Sequence, residues 1–325
     1  MNIALLSAWH VHANDYARQL RANGANLFGV WDEEPERGKK WAGELGVPFY
    51  ADYRDLLKEP NLDGVVLCSA TSLHPELLLA AAKAKKHIFT EKVLTLTARD
   101  AYAVRDAIKE NGILFTISFP HQTNPRLLYA KQMIEEGKLG QLTYARVRNC
   151  HSGSIRNWLP PHFYSKEQCG GGAMIDLGAH PMYLLNWFLG RPARISSCFT
   201  NATDRPVEDN AVSLLEYENG AIGVSETGFV SLTDPFEAEI SGTRGYLKID
   251  RTLSYCLEGG DWVTVPDESI GLSRPLPIPY WLSCMEKGET PVYYTIDEAV
   301  TLSEMMDCAY RSSASGRFAE LSDLS

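Results

Sequence analysis

The chain has 325 residues, 45% of them hydrophobic and 22% charged, a balance typical of a globular protein with room for two cores. A formal net charge of -10 leaves no basic surface for a polyanion and argues against nucleic acid as a partner. The seven cysteines include no C-x-x-C pair, which predicts neither disulfides nor a zinc knuckle. We expect a cytoplasmic protein with no membrane partner, because the sequence shows no leader and no apolar run long enough to cross a bilayer.

Short apolar runs alternate with amphipathic stretches through the first third of the chain. Strands are predicted at residues 3–6, 27–31, 64–68, 87–90 and 114–118. Helices are predicted between them at 14–22, 35–45, 75–84 and 98–110. Because strands that alternate with helices form parallel sheets, we expect a doubly wound, dinucleotide-binding Rossmann domain over residues 1–120.

The pattern changes near residue 120. Asn124 is predicted to be the N-cap, and Pro125 the first residue, of a helix that runs to Gly137. Further elements are predicted as a strand at 142–149, a glycine-opened helix at 172–189, alternating segments from 195 to 265 and a helix at 296–312. Asn219-Gly220 is a strong hairpin signal. Residues 121–325 are therefore predicted to form an α+β domain with a largely antiparallel open sheet.

The turn after the first strand lacks the glycines of a Rossmann fingerprint. G-x-G-x-x-G lets the backbone approach a pyrophosphate, whereas this turn carries Ser7, Ala8, Trp9, His10 and His12. The N–H groups at the start of the next helix are expected to stay free for an anion. The turn is thus a candidate cofactor site with weakened phosphate contact; the alternative is a turn that binds no ligand.

An acidic residue ends the second predicted strand. Asp32 lies where a carboxylate can bind the adenosine ribose hydroxyls, and Glu33 and Glu34 behind it would repel a 2′-phosphate. We therefore expect NAD as the cofactor, with NADP less favoured. The alternative role of Asp32 is that of an N-cap before Pro35.

Three segments occur in an order that resembles the glucose-fructose oxidoreductase, inositol dehydrogenase and MocA family. They are Ser69-Ala70-Thr71-Ser72-Leu73-His74, Lys86-His87-Ile88-Phe89-Thr90-Glu91-Lys92, and the glycine run 170–172 followed by Asp176 and His180. The resemblance spans nearly the whole chain. It implies an NAD(P)-dependent oxidoreductase that transfers hydride between the nicotinamide and a hydroxyl or keto group of a sugar, inositol or related polyol. It also implies cofactor contacts from Ala70, Thr71, His74, Glu91 and Lys92.

The chemistry of Lys92, Asp176 and His180 agrees with the catalytic roles that the resemblance implies. Lys92 follows a strand at the edge of the sheet where ligands bind, and a cation there can lower the pKa of a substrate hydroxyl. Asp176 and His180 are four residues apart, which predicts one helix face, with the imidazole as the acid–base group and the carboxylate as its guide. The plainer alternative is an i,i+4 pair and a solvent-facing lysine.

Several positions depart from the family pattern. Val93 replaces a proline after Glu91-Lys92, Tyr183 stands where many relatives carry Asp, and His121-Gln122 stand where Arg is common. His121, Gln122 and Tyr183 are candidate substrate contacts. Trp158 and His162 are further candidates, as an apolar platform and a polar handle for a sugar, with loop packing as the alternative.

Other functions stay open. The spacing of His10 and His12 is also found in metal-dependent barrel hydrolases, which need eight βα units and further ligands. The Rossmann fold, for which no metal is expected, is also compatible with two other functions. These are an NAD-dependent lyase or epimerase that oxidises its substrate transiently, and a ligand sensor with an inactive site. Since relatives pair the open faces of their antiparallel sheets, a homodimer or homotetramer through the C-terminal sheet is expected.

Overall fold

The computed structural model describes residues 1–324. Its α-helices are α1 (Ala13–Ala22), α2 (Pro35–Leu45), α3 (Tyr53–Leu57), α4 (His74–Lys83), α5 (Ala98–Asn111), α6 (Pro125–Glu135), α7 (Lys166–Cys169), α8 (Ala179–Leu189), α9 (Pro277–Lys287) and α10 (Ile296–Ser315). Its strands are β1 (Asn2–Leu6), β2 (Asn26–Trp31), β3 (Gly64–Leu67), β4 (His87–Thr90), β5 (Phe115–Ile117), β6 (Leu142–Cys150), β7 (Arg194–Thr200), β8 (Asn210–Glu216), β9 (Ile222–Gly228), β10 (Phe236–Gly242), β11 (Gly245–Ile249), β12 (Leu253–Leu257), β13 (Val263–Val265) and β14 (Ala319–Glu320).

The chain divides into two compact units. The first unit comprises Met1–Ser118 and Pro275–Val300, and the second comprises Phe119–Arg274 and the chain from Thr301 onward. None of the helices within residues 1–324 is both long and apolar enough to span a membrane.

The first unit contains a five-stranded parallel sheet in the order β2-β1-β3-β4-β5. Its central strands are apolar on both faces, and every residue of β3 is buried, because helices cover both sides of the sheet. The predicted doubly wound sheet is confirmed. All five strands point the same way, so the turns that follow β1, β2, β3 and β4 lie along one edge, where α/β sheets bind their ligands.

A helix from late in the sequence completes this core. In α9, Trp281 is fully buried with its ring centroid 6.1 Å from that of Phe89, and Ile278 and Leu282 join the same cluster. Residues 275–300 therefore pack within the first unit, whereas the sequence pattern suggested a division into 1–120 and 121–325. The physical reason is that an apolar helix face packs on whichever apolar surface is uncovered, irrespective of its distance along the chain.

The second unit contains a nine-stranded sheet in the order β13-β12-β11-β10-β6-β9-β8-β7-β14. Every neighbouring pair is antiparallel except β6 and β9, so the prediction of a largely antiparallel sheet is confirmed. The predicted hairpin at Asn219-Gly220 joins β8 to β9, with Gly220 at φ 84°. Helix α8 packs against β6 and β9 on one face of the sheet.

The predicted helix at 172–189 begins only at Ala179, so the placement of Asp176 and His180 on one helix is wrong. Residues 173–178 form consecutive turns, and Gly172 and Met174 donate their N–H groups to the Glu208 carboxylate. These bonds hold the glycine run against a distant side chain. The apolar periodicity of the sequence continues through residues 172–178, so the pattern alone does not show that the helix begins later, at Ala179.

Neither sheet belongs to a barrel of eight βα repeats. The parallel sheet of the first unit is open and ends at β2 and β5. The hydrolase alternative based on His10 and His12 therefore lacks the architecture it requires.

Candidate functional site

In the turn after β1, the backbone N–H groups of residues 7–10 all donate hydrogen bonds to other groups of the protein. Ser7 donates to the Trp31 carbonyl, Ala8 to Asp32 Oδ2 at 2.9 Å, Trp9 to Ser7 Oγ at 3.1 Å, and His10 to the Cys68 carbonyl at 2.9 Å. Ser7, which stands at the first glycine position, adopts the left-handed φ of 74° that usually favours glycine. The N–H groups of residues 7–10 are therefore already paired within the protein, although the backbone keeps the glycine-type bend. Anion binding by the N–H groups at the start of α1 stays a prediction.

The side chains of this turn meet the end of β4 around one carboxylate. His12 Nδ1 lies 2.8 Å from Glu91 Oε1, and His10 Nδ1 lies 3.5 Å from the same oxygen. Tyr16, one turn further along α1, donates its hydroxyl hydrogen bond to Glu91 Oε1 and lies 2.7 Å from Ser118 Oγ. We call His10, His12, Tyr16 and Glu91 the Glu91 cluster.

Charge stabilises the Glu91 cluster although the carboxylate is only 1% exposed. Burial alone would raise the pKa of Glu91, but the neighbouring His10, His12 and Lys92 outweigh burial and hold the pKa below its ordinary value. Burial and the Glu91 charge raise the pKa of the Tyr16 hydroxyl well above its usual range, so the phenol stays a hydrogen-bond donor. The cluster is thus an ionised carboxylate with donors on several sides.

Lys92 is buried directly after Glu91, and its N–H donates to Glu91 Oε2 at 3.1 Å. The Lys92–Val93 peptide bond is cis. Beneath this segment, His74 Nδ1 lies 3.0 Å from the Val93 carbonyl oxygen and 3.1 Å from that of Leu94, and burial lowers the pKa of His74. His74 therefore contacts the backbone that carries the lysine.

The β3–α4 turn carries the other predicted cofactor residues of the first unit. Ala70 and Thr71 are both buried, with Thr71 at the start of a short 3-10 turn that leads into α4. Their place at the carboxyl end of β3 is the one expected for ligand contacts in an α/β sheet.

Asp32, directly after β2, forms an ion pair with a cation from the next helix. Arg37, in the first turn of α2, places Nη2 2.7 Å from Asp32 Oδ1 and Nε 3.0 Å from Oδ2. The same guanidinium lies 2.8 Å from Glu33 Oε1 and 3.3 Å from Glu34 Oε2. Asp32 also accepts the N–H groups of Ala8 and Glu34, so it links the first turn to the start of α2.

In the second unit, His180 lies in the first turn of α8 among aromatic rings. Its Nδ1 is 3.1 Å from the Tyr183 hydroxyl, and its ring meets that of His121 edge-on at a centroid distance of 4.7 Å. The Tyr183 hydroxyl also accepts the N–H of His121 at 3.1 Å. Phe236 stacks on His121. We call His121, His180, Tyr183 and Phe236 the His180 cluster.

The remaining predicted residues of the second unit are not all placed together. Asp176 is half-buried in the turns before α8. Gln122 is 1% exposed and accepts from Arg274 at 3.0 Å. Trp158 is 53% exposed and lies against His151, whose ring stacks on Phe229.

The last of these residues, His162, ends a short 3-10 turn with its ring beside that of Phe163. Its carbonyl oxygen accepts a hydrogen bond from the Cys169 thiol. The structure thus groups His121, His180 and Tyr183, and it gives Trp158 and His162 local partners of their own.

Sequence reasoning missed three residues that organise these sites. Tyr16 follows His12 by four positions, a spacing that places both on one side of α1. Arg37 lies within reach of Asp32 because α2 begins immediately after it. Glu208 reaches the glycine run from the loop before β8 and left no signal in the sequence.

Two family models match most of the chain. The model of the NAD-binding Rossmann fold of an oxidoreductase family covers residues 7–119, and the model of the GFO/IDH/MocA C-terminal domain covers residues 127–248. They match segments in both units, including the turn with the altered glycines.

Characterised relatives resemble the chain along most of its length. The scyllo-inositol 2-dehydrogenase (NAD(+)) of Bacillus subtilis is 28% identical over 86% of this chain and 84% of its own. The D-xylose 1-dehydrogenase (NADP(+)) 2 of Haloferax volcanii is 26% identical over 93% of this chain and 94% of its own. A solved levoglucosan dehydrogenase in complex with NADH and L-sorbose has a TM-score of 0.86 at 19% identity, over 100% of this chain and 99% of its own, and shows the shared fold.

Proposed function

The chain belongs to the GFO/IDH/MocA family of NAD-binding oxidoreductases, and we propose that it oxidises or reduces one secondary hydroxyl carbon of a sugar, inositol or related polyol. The observation that carries this proposal is that the family match covers segments of both units and that Lys92 and His180 both lie within the matched ranges. The named relatives act on inositols and sugars, which supports this substrate class.

The proposed mechanism assigns one task to each polar group. Bound NAD supplies the acceptor for the hydride that leaves the substrate carbon. His180 takes the hydroxyl proton, Lys92 stabilises the developing alkoxide, and Asp176 orients substrate or imidazole. In the reverse direction, His180 returns the proton.

We assign Tyr183 to the orientation of His180. A phenol hydroxyl both donates and accepts, so it can stay bonded to His180 Nδ1 in either tautomer of the imidazole. The ring can therefore act as base or as acid without changing its position. The buried Tyr183 hydroxyl already bonds to His180 Nδ1 and accepts the His121 N–H, which fits a supporting role behind His180.

The residues of the first unit fit NAD at its ribose end and differ from the family pattern at the phosphates. Asp32 supplies the carboxylate for the adenosine ribose, and a ribose hydroxyl would compete there with Arg37. We propose that Ser7, Ala8, Trp9, His10 and His12 shape the phosphate region, with Ala70, Thr71 and Glu91 on its other side. His74 supports the Lys92 segment from below.

We propose that His121, Gln122, Trp158 and His162 contribute to substrate recognition. His121 contacts the His180 ring, and Trp158 offers an exposed aromatic face of the kind that packs against sugar rings.

We further propose a cytoplasmic homodimer or homotetramer. All seven cysteines are free thiols, as expected in a reducing compartment. On the sheet of the second unit, Val212 and Leu214 are exposed while Ala211 and Leu215 are buried, so one face presents apolar side chains to the outside. Light scattering of the purified chain measures the assembly directly.

The function is tested by screening sugars, inositols and their acids with NAD and following NADH formation. For each active substrate, a version deuterated at the oxidised carbon should transfer its deuterium to the nicotinamide. Stoichiometric NADH supports a dehydrogenase. Product formation without net NADH, but with deuterium passing transiently through the cofactor, replaces it by a lyase or epimerase, and turnover without any cofactor contradicts the family mechanism.

A further inference from the structure

We propose that His10, His12 and Glu91 form a binding site for a single divalent transition-metal ion of the zinc class. Their ligand atoms all lie within 4.8 Å of one another, and this is the only such group of histidine, cysteine and acidic residues within the described chain, 1–324. The inference goes beyond the oxidoreductase function and does not depend on it.

The donor set has the chemistry of a metal centre. Two imidazoles and one carboxylate form the three-ligand set of many open zinc sites, which leave further positions for water or another ligand. Imidazole nitrogen favours zinc, cobalt, nickel and copper over magnesium and calcium, which prefer oxygen ligands. The ionised state of Glu91, described above, is the form that binds a metal.

The surroundings of the carboxylate also fit a metal ligand. Metal-binding carboxylates are themselves usually held by hydrogen bonds from the next layer of residues. Here the Tyr16 hydroxyl and the Lys92 N–H both donate to Glu91, and Ser118 holds Tyr16 in turn. These contacts fix the carboxylate in one orientation.

The three residues are held by ordered backbone segments, and one of them reaches solvent. Glu91 and His10 are buried, whereas the His12 side chain is 45% exposed, so an ion has a route in from solvent. The turn between β1 and α1 carries His10 and His12, with His12 at the N-cap of α1, and Glu91 directly follows β4. His12 stands at the last glycine position of a G-x-G-x-x-G turn, which the regular fingerprint leaves without a side chain, so the same three-ligand site does not arise there.

One charge opposes the proposal. Lys92 is close enough to lower the pKa of Glu91, and its ammonium repels a cation. An ion bound by two neutral imidazoles and one carboxylate keeps one net positive charge, so the open positions should favour an anionic oxygen ligand.

The test uses the untagged full-length chain after treatment with a chelator and without NAD, so that the result is independent of the proposed reaction. Calorimetric titration with Zn²⁺ should show one ion per chain, and Co²⁺ should produce visible d–d absorption with nitrogen ligation. His12→Ala should weaken binding by about 100-fold or more, and Tyr16→Phe by about 10-fold, since loss of second-layer partners costs roughly 10–100-fold in affinity.

His87→Ala provides the matched control, because His87 lies in the same unit outside the cluster. It should bind Zn²⁺ like the unaltered chain, and circular dichroism should show that all three variants fold. Absence of saturable Zn²⁺ binding, or equal affinity in His12→Ala and His87→Ala, would overturn the proposal.

Discussion

The Glu91 cluster and the His180 cluster both bury polar groups, but different interactions compensate for the cost of that burial. In the first, a buried carboxylate is compensated by two imidazoles, a phenol and a neighbouring lysine. In the second, an imidazole is held by a phenol and lies among aromatic rings. A buried charge needs charge or strong donors around it, whereas the imidazole of the second cluster is held by a hydrogen bond together with ring packing.

We expect the two clusters to affect different properties of the protein, namely its stability and its turnover. The Glu91 cluster depends on its charge to stay folded, so its loss should first reduce stability. The His180 cluster keeps its packing when the proton-transfer group is changed, so its loss should first reduce turnover. Substitutions that conserve size test this difference most cleanly.

The largest expected effect is on turnover in the His180 cluster. His180→Asn keeps much of the side-chain volume but cannot transfer a proton, and we expect kcat to fall by about 100-fold or more with little change in NADH affinity. Lys92→Met should be at least as damaging, because the alkoxide loses its cation. Steady-state kinetics on the substrate found by the screen measures both, and near-normal turnover in His180→Asn would remove the assigned role. His87→Asn serves as the control.

Loss of charge in the Glu91 cluster should reduce stability. Glu91→Gln preserves shape but removes the ionised acceptor of several hydrogen bonds, and we expect a loss of about 1.5–3 kcal/mol in the free energy of unfolding at pH 7. Urea denaturation of metal-free protein measures it. Glu44→Gln, on exposed α2 surface, should change stability by less than about 0.5 kcal/mol. Equal losses in the two variants would contradict the charge argument.

Close packing behind Asp32 should also be measurable. A methyl group at Gly38 would lie 2.5 Å from Asp32 Cβ and 2.6 Å from Phe49 Cε2, so Gly38→Ala should cost about 1–3 kcal/mol. Gly43 lies on the same helix, α2, with open space around it. Gly43→Ala should instead stabilise the chain by about 0.5–1 kcal/mol through helix propensity. Thermal unfolding of both variants compares them, and destabilisation of the two alike would refute the packing explanation.

The smallest expected effect concerns cofactor choice. Arg37 partly neutralises Asp32 and Glu33, so Arg37→Ala should strengthen the preference for NADH over NADPH. One charge at about 4 Å in water corresponds to about 1 kcal/mol, hence about a fivefold change in the ratio of the two dissociation constants. Fluorescence titration with each cofactor measures the ratio. Arg18→Ala, which alters an exposed pair on α1, should leave it unchanged.

Much of the framework was predictable because it depends on local pattern. The five strands of the Rossmann sheet and the hairpin at Asn219-Gly220 follow from apolar periodicity and turn chemistry. The motif around Glu91-Lys92 was identified by its resemblance to the family, and its place after a predicted parallel strand agrees with a ligand site. Such features need only nearby residues, so one sequence is enough to identify them.

The arrangement of Asp176 and His180 was not predictable in the same way. Their spacing suggested one helix, but the backbone of the glycine run bonds to Glu208 and the helix starts at Ala179. Glu208 lies 36 positions from Gly172 and 34 from Met174 along the chain. Helical periodicity relates residues only three or four positions apart, so it could not reveal this contact. The catalytic roles of the two residues remain a proposal.

The sequence by itself determined the alternation of strands and helices in the first third of the chain, the change to antiparallel strands after it, and the chemical groups at the strand ends. Only the tertiary structure decided that α9 joins the first unit, that Arg37 occupies the carboxylate of Asp32, and that His10, His12 and Tyr16 converge on Glu91. The reason is physical: secondary structure depends on contacts within a few residues, whereas side-chain clusters depend on which surfaces remain to be buried once the strands and helices pack.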